Sequence, residues 1–236
     1  MKLSAPIHVL KSNAKALKRA QSITMVEALN LVAKAEGCAS WSLLQAKAKD
    51  YKPHTKEEVL ANLFPGDLLL MGARPGLGKT TLTLQVLLQA IQEGRRCYFF
   101  SLEYTNKALA NKLAKLDPNY QEHKALLTFD FSDDISSDYI IRETEDSIEE
   151  GAIIGVDYLQ LLDQQRHKPT LQQQIKALKA YAKEKRCIFM FISQIDRAFE
   201  QSSRKQPGLE DVRLPNPLDL SLFNKSVFLQ EDQMPL

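Results

Sequence analysis

The segment Ala73-Arg74-Pro75-Gly76-Leu77-Gly78-Lys79-Thr80-Thr81 joins two glycines, a lysine and two hydroxyl residues at a spacing suited to a polyphosphate. Gly76 and Gly78 permit a tight backbone whose N–H groups turn inward on phosphate oxygens. Lys79 is placed to reach β- and γ-phosphates, and the Thr80 hydroxyl is a ligand for Mg²⁺. Ala73 stands where such loops usually have their first glycine, and its small side chain keeps the loop feasible. Three more polar residues close apolar runs: Glu103 after 97–102, Asp157 after Ile153-Ile154-Gly155-Val156, and Gln194, with Ser193, after 187–192. Asp157 has the type and position of a carboxylate that holds magnesium through its water shell. Glu103 is suited to orient or deprotonate a water molecule, and Gln194 to hydrogen-bond a γ-phosphate or that water without adding charge. The chemistry these residues suit is the attack of water on the γ-phosphate of Mg-ATP.

Such residues act together only if the chain carries them to one place. Residues 67–71 form an apolar run of buried-strand length, and 81–93 is a breaker-free stretch of helix formers, giving strand, glycine loop and helix in order. Further on the pattern predicts a helix over 105–116 stopped by Pro118, a strand over 125–131, a helix over 138–150 and a strand over 152–156. Leu171, Ile175, Leu178 and Ala182 then mark a helix stripe, 187–192 a strand, and the surroundings of Phe228 a last strand. This alternation predicts an α/β fold, a mostly parallel sheet with helices on both faces. Ligands of such sheets lie at the carboxyl ends of the strands, where Lys79, Glu103, Asp157 and Gln194 all fall.

Composition describes an ordinary globular protein, with 236 residues, 44% hydrophobic and 25% charged. No apolar run reaches membrane-span length and the Lys-rich start lacks a signal-peptide core, so the expectation is a cytoplasmic protein without a membrane partner. Cys38, Cys97 and Cys187 lie far apart within apolar patterns and read as buried thiols, and the four histidines lack zinc-ligand spacing. The net charge of +2 is unevenly spread: residues 1–52 hold nine Lys/Arg against three acidic residues, a local +6, which leaves −4 for the rest. That asymmetry predicts two domains, a small basic helical module over 1–52 and a larger α/β domain over 53–236. In the module, Ile7, Leu10, Ala14 and Leu17 share one helical face, Val26, Leu29 and Ala33 mark a second helix ending at Gly37, and Trp41, Leu44 and Ala48 a third. Docking to nucleic acid or a partner protein, and a merely solvated helix face, both fit the charge.

Several segments together resemble the motor domain of the DnaB-type replicative helicases, a superfamily 4 branch of the RecA-like ATPases. They are Gly66-Asp67-Leu68-Leu69-Leu70, the loop from Ala73 to Thr81, Phe100-Ser101-Leu102-Glu103, Asp157-Tyr158-Leu159-Gln160-Leu161-Leu162 and Ser193-Gln194-Ile195-Asp196-Arg197. The resemblance continues through Phe199-Glu200-Gln201, Arg204-Lys205-Gln206-Pro207 and Asp211-Val212-Arg213, covering about residues 60–230. It implies ATP and Mg²⁺ as cofactors, with Lys79 and Thr80 on phosphate and metal, Glu103 as base, Asp157 as metal carboxylate, and Gln194 coupling nucleotide state to DNA loops. Those loops would span 164–170 and 198–208, with Arg166, Lys168, Arg197, Arg204 and Lys205 as DNA contacts. Implied partners are single-stranded DNA, further copies of the chain in a ring, and other replication proteins. The chain departs from the family in three ways: the small basic module stands where the family has a long helical amino-terminal domain, Gln230-Glu231 stands where the family has an arginine finger, and the chain stops at Leu236, before the strands that complete the family's motor. The expected function is therefore an ATPase acting on single-stranded DNA, with a nucleotide-dependent regulator or helicase accessory of little motor activity as the alternative.

Overall fold

Four short apolar runs and two edge strands lie beside one another because each covers a neighbour's backbone groups, and the central four can be buried on both faces. The computed structural model describes residues 3–5, 7–50, 55–163, 168–201, 204, 206–214 and 216–229. The chain divides into two compact units, Met1–Pro53 and His54–Leu236.

In the larger unit β1 (Leu68–Ala73), β2 (Cys97–Ser101), β3 (Leu127–Asp130), β4 (Ile153–Asp157), β5 (Ile188–Gln194) and β6 (Lys225–Phe228) form one sheet. Their order is β3-β2-β4-β5-β1-β6 and every pairing is parallel. Alternate strand residues enter opposite apolar layers, as strand geometry requires. Leu69, Met71, Phe99, Ile153 and Met190 pack with α4 (Lys56–Ala61), α5 (Lys79–Gln92) and α6 (Asn106–Leu116). Leu68, Leu70, Tyr98, Phe100, Ile154, Phe189 and Phe191 pack with α7 (Ser137–Thr144) and α8 (Leu171–Lys185). The expected stripe of α8, Leu171, Ile175, Leu178 and Ala182, is buried throughout.

Polar groups tie the layers where apolar contact alone would leave register loose. The buried Asp67 carboxylate accepts from the Phe64 N–H at 2.8 Å and pairs with Lys225 at 2.8 Å, and Asn224 accepts from the Leu68 N–H at 2.7 Å, which fixes edge strand β6 against β1. On the other face the Gln174 side chain accepts from the Ser137 N–H at 3.0 Å and donates to the carbonyls of Leu162 and Pro169.

Strands β1 and β5 each run two residues past their expected ends, to Ala73 and Gln194, and larger differences from expectation occur in three places, each for a local reason. The strand expected over 125–131 is shorter, because 3-10 turns occupy Tyr120–Leu126 and pairing with β2 covers only Leu127–Asp130. The helix expected over 138–150 ends at Thr144, whose hydroxyl donates back to the Ile140 carbonyl at 2.7 Å, and turns follow to Gly151, at φ 82°. Helix α4 lies in a charged stretch read only as a boundary. Its six residues are too few for periodicity, and the Thr55–Glu58 capping box starts it.

In the smaller unit α1 (Ile7–Gln21), α2 (Met25–Ala35) and α3 (Trp41–Asp50) close around Leu10, Ala14, Ala28, Val32, Ala33, Cys38, Trp41 and Leu44. A Thr24–Glu27 capping box starts α2, and the Asn30 side chain accepts from the Trp41 N–H at 3.0 Å, joining α2 to α3.

Gly155 in central strand β4 tests this packing. A methyl group there would lie 2.9 Å from Phe99 Cδ2 and 3.4 Å from Thr83 Cγ2, all within the fully buried layer under α5. Gly155→Ala is expected to lower stability by about 1–3 kcal/mol, the usual cost of overpacking, read as a lower urea midpoint at unchanged m-value. An unchanged midpoint would show that the layer has slack.

Candidate active site

Parallel pairing puts the carboxyl ends of β1, β2, β4 and β5 along one edge, and the register sets them level. Ser101 faces Asp157, Asp157 faces Ile192, Gly72 faces Ser193 and Ala73 faces Gln194. The segments leaving β1, β2, β4 and β5 therefore start from one rim.

The glycine loop leaves β1 at that rim. Ala73 is the last residue of the strand and is not among the residues with positive φ, so its backbone needs no glycine. Gly76 and Gly78, by contrast, take φ 82° and 75°, the left-handed region that a glycine enters without steric cost. Pro75 and Gly76 are exposed, Leu77 is tucked inward, and Arg74, Gly78, Thr80 and Thr81 are half-buried. Gly78 caps α5, whose first residue is Lys79. The Lys79 ammonium turns back into the loop and donates to the carbonyls of Ala73 at 3.0 Å and Arg74 at 2.9 Å.

Residue types far apart in sequence meet next to it. The Thr80 hydroxyl donates to Asp157 Oδ2 at 2.9 Å, joining the first turn of α5 to the end of β4. Asp157 is only 2% exposed, and burial, with the charge of Glu103 second, pushes its carboxyl up to about 7. The Thr80 hydrogen bond and the ammoniums of Lys79 and Lys112 pull the other way. Burial likewise lowers the Lys79 ammonium from its ordinary value, opposed by the negative charges of Asp157 and Glu103. Glu103 itself is exposed, just beyond β2, with its N–H donated to the buried Ser101 hydroxyl at 3.1 Å. The peptide between Asp157 and Tyr158 is cis. A buried hard-oxygen carboxylate beside a threonine hydroxyl is the donor set magnesium favours, so these residues fit that ion. The tight glycine turn that opens α5 and the positive end of that helix fit a phosphate chain.

Gln194 ends β5, and its carbonyl accepts from the Arg213 N–H at 2.8 Å. Asp196 donates its N–H to the Asp211 carbonyl at 2.7 Å, and Ile195 bridges Val212 in antiparallel fashion, so the chain returns to the end of β5 after residues 197–210. Gln160 was not anticipated from its type. Its amide nitrogen donates to the Ser193 hydroxyl at 3.1 Å and the Arg213 carbonyl at 2.6 Å, linking the 3-10 turn after β4 to the base of this excursion. The only sign of it in the sequence is its place in the run that follows Asp157.

The five cations expected on DNA are not equivalent. Arg166 and Lys205 lie outside the described residues. Lys168 donates to the Ile135 carbonyl at 3.0 Å, and Arg204 pairs with Glu210 and Asp211 over the Phe199 ring, with the side-chain hydrogen bond to Asp211 foremost in raising its pKa. Arg197 is exposed.

The family model described as the DnaB-like helicase C-terminal domain matches residues 54–128 and 130–216. Among curated proteins, the replicative DNA helicase DnaB of Helicobacter pylori strain J99 is 28% identical over 67% of this chain and 40% of its own length. That of Leifsonia xyli subsp. xyli is 28% identical over 66% of this chain and 41% of its own. The chain thus spans about two fifths of the length of these relatives. A solved DnaB-like replicative helicase, described with its interactions with primase, superposes with a TM-score of 0.60 at 19% identity, covering 95% of this chain and 66% of that one. A second solved structure, described as an ATPase domain, gives 0.58 at 21% identity, covering 80% of each chain. At these identities the structural likeness shows a shared fold, the RecA-like arrangement.

The Asp157 carboxyl carries a pH signature. Its pKa of about 7 lies above the ordinary value of 3.8, so the folded protein keeps a proton that the unfolded chain releases between those values. Stability must fall as pH rises through that window, because the unfolded state binds fewer protons. In metal-free buffer the thermal midpoint is expected to drop more between pH 5 and pH 8 for the wild type than for Asp157→Asn. Parallel curves would remove the raised pKa.

Proposed function

Because the chain belongs to the DnaB-like helicase C-terminal domain family, we propose that its larger unit binds and hydrolyses ATP with magnesium and that single-stranded DNA stimulates the reaction. The observation that carries the proposal is the Thr80–Asp157 hydrogen bond beside the loop-held Lys79 ammonium, which joins the glycine loop to the neighbouring strand ends. Lys79 exchanges its two carbonyl partners for phosphate oxygens and stabilises the charge that develops on them. Thr80 would hold magnesium by its hydroxyl and Asp157 through the ion's water shell, and the ion, when bound, would supply positive charge to offset that of the phosphates. Glu103, solvent-exposed yet felt electrostatically at Lys79 and Asp157, accepts the proton of the attacking water. Gln194, level with Ala73 across the β1–β5 pairing, senses the γ-phosphate and passes its state to residues 197–210 through the chain that leaves β5.

Exposed Arg197 supplies a DNA contact, with Arg166, Lys168, Arg204 and Lys205 as the further candidates. Arg204 must first give up its pairs with Glu210 and Asp211. Further copies of the chain and other replication proteins complete the proposed partners. A second reading, a nucleotide-dependent regulator that turns over slowly, is favoured by Gln230-Glu231 at the position of the family's arginine finger.

Phosphate release with and without a single-stranded oligonucleotide separates the readings. Lys79→Ala is expected to reduce turnover by about 10²–10³-fold through loss of charge stabilisation. Glu103→Gln is expected to lower it by about 10²–10⁴-fold while leaving Mg-ATP affinity within a few-fold. A wild type that binds Mg-ATP by calorimetry yet releases no phosphate would establish the regulator. Absence of binding would remove both readings.

A further inference from the structure

Helix α1 devotes its apolar side, Ile7, Leu10, Ala14 and Leu17, to the core of the small unit. Its cations Lys11, Lys15, Lys18 and Arg19 are all exposed. At 3.6 residues per turn these four fall within an arc of about 100° beside the buried side and span about 12 Å along the axis. The helix contains no acidic residue, and none of the four cations has an ion pair among the described residues. Two of the unit's three acidic side chains are engaged elsewhere, Glu27 in the cap of α2 and Glu36 with Ser4. The helix dipole accounts for a cation at Lys18 and Arg19, in the last turn, but not for Lys11 and Lys15 in the middle.

We propose that this face of α1 binds the phosphate backbone of duplex DNA, independently of nucleotide and of the site at the sheet edge. A row of exposed cations without acidic interruption is the footprint of a polyanion. Single strands are held by basic grooves together with aromatic platforms on which bases stack. Among the described residues of this unit the sole Phe, Tyr or Trp is Trp41, which is buried. A membrane surface would require the apolar side of the helix, and Leu10 and Ala14 are committed to the core. A rigid line of charge that touches phosphates and no bases is the remaining fit, and it implies binding without sequence preference.

Counterion release makes the proposal measurable, since each phosphate neutralised on B-DNA contributes about −0.9 to the slope of log affinity against log salt. The full chain, without nucleotide, is titrated by fluorescence anisotropy against a labelled duplex between about 50 and 200 mM salt. The variant replaces Lys11, Lys15 and Lys18 with Gln. The control makes the same change at Lys115, Lys124 and Lys183, exposed cations of the larger unit, so both lose equal charge. Glutamine keeps helix propensity near that of lysine, and circular dichroism verifies the fold. The α1 variant is expected to flatten the slope by about 2–3 and to weaken binding at the lowest salt at least tenfold, with the control unchanged in slope. Arg at the same three positions should restore both. Equal slopes for wild type and α1 variant, an equal loss in the control, or an α1-dependent preference for a single strand or for anionic phosphatidylserine vesicles over the duplex would each overturn the assignment. None of these outcomes depends on ATP turnover.

Discussion

The constraint on which the larger unit depends is that every strand pairing is parallel. Parallel neighbours cannot be joined by tight turns, so each connection crosses a face of the sheet, usually as a helix, and both faces become buried. The same constraint sends every strand out at one rim. The glycine loop, Glu103, Asp157 and Gln194, spread over more than a hundred residues of chain, then start from neighbouring strand ends. Packing enforces this arrangement from below. Gly72 and Gly155 leave room where the Phe228 and Phe99 rings cross the strands, and Asp67 with Lys225 and Asn224 holds the edge strand in register.

At the rim the arrangement concentrates charge in a setting that opposes it. Asp157 and Lys79 are each shifted toward neutrality by burial, and each is partly restored by the other. A carboxyl such as Asp157, with a pKa of about 7, responds strongly to whatever charge arrives, and perturbed titration of this kind clusters at functional sites. Lys79 has two of its three proton donors on loop carbonyls, and a phosphate offers it oxygen acceptors of greater charge. The geometry around Gln160 extends this coupling outward. One amide ties together the turn after β4, the end of β5 and the returning segment at Arg213.

Much of this was legible in the sequence because it is local. Strand, glycine loop and helix in order, the apolar stripe of α8, and carboxylates closing apolar runs all follow from residue type and spacing over a few turns. The short α4 and the early end of α7 were not legible, since they depend on a capping box and a back-bonded hydroxyl rather than on periodicity, and the 3-10 stretch before β3 is too tightly wound to show a helical stripe. Ala73 shows the two levels meeting. As a sequence letter it departs from the glycine pattern, but its place in the strand removes the need for glycine there.

Sequence alone determined the chemistry on offer: a glycine loop with lysine and threonine, acids and an amide at strand ends, and a basic helical module. Tertiary structure decided which of those groups meet. It joined Thr80 to Asp157, tied Arg204 to Glu210 and Asp211 and Lys168 to a backbone carbonyl, and left the cations of α1 exposed by burying the adjoining side. The physical reason is that residue type sets what a side chain can bond, whereas partner, burial and therefore charge state depend on chain segments distant in sequence, brought close only when the sheet and its helices pack.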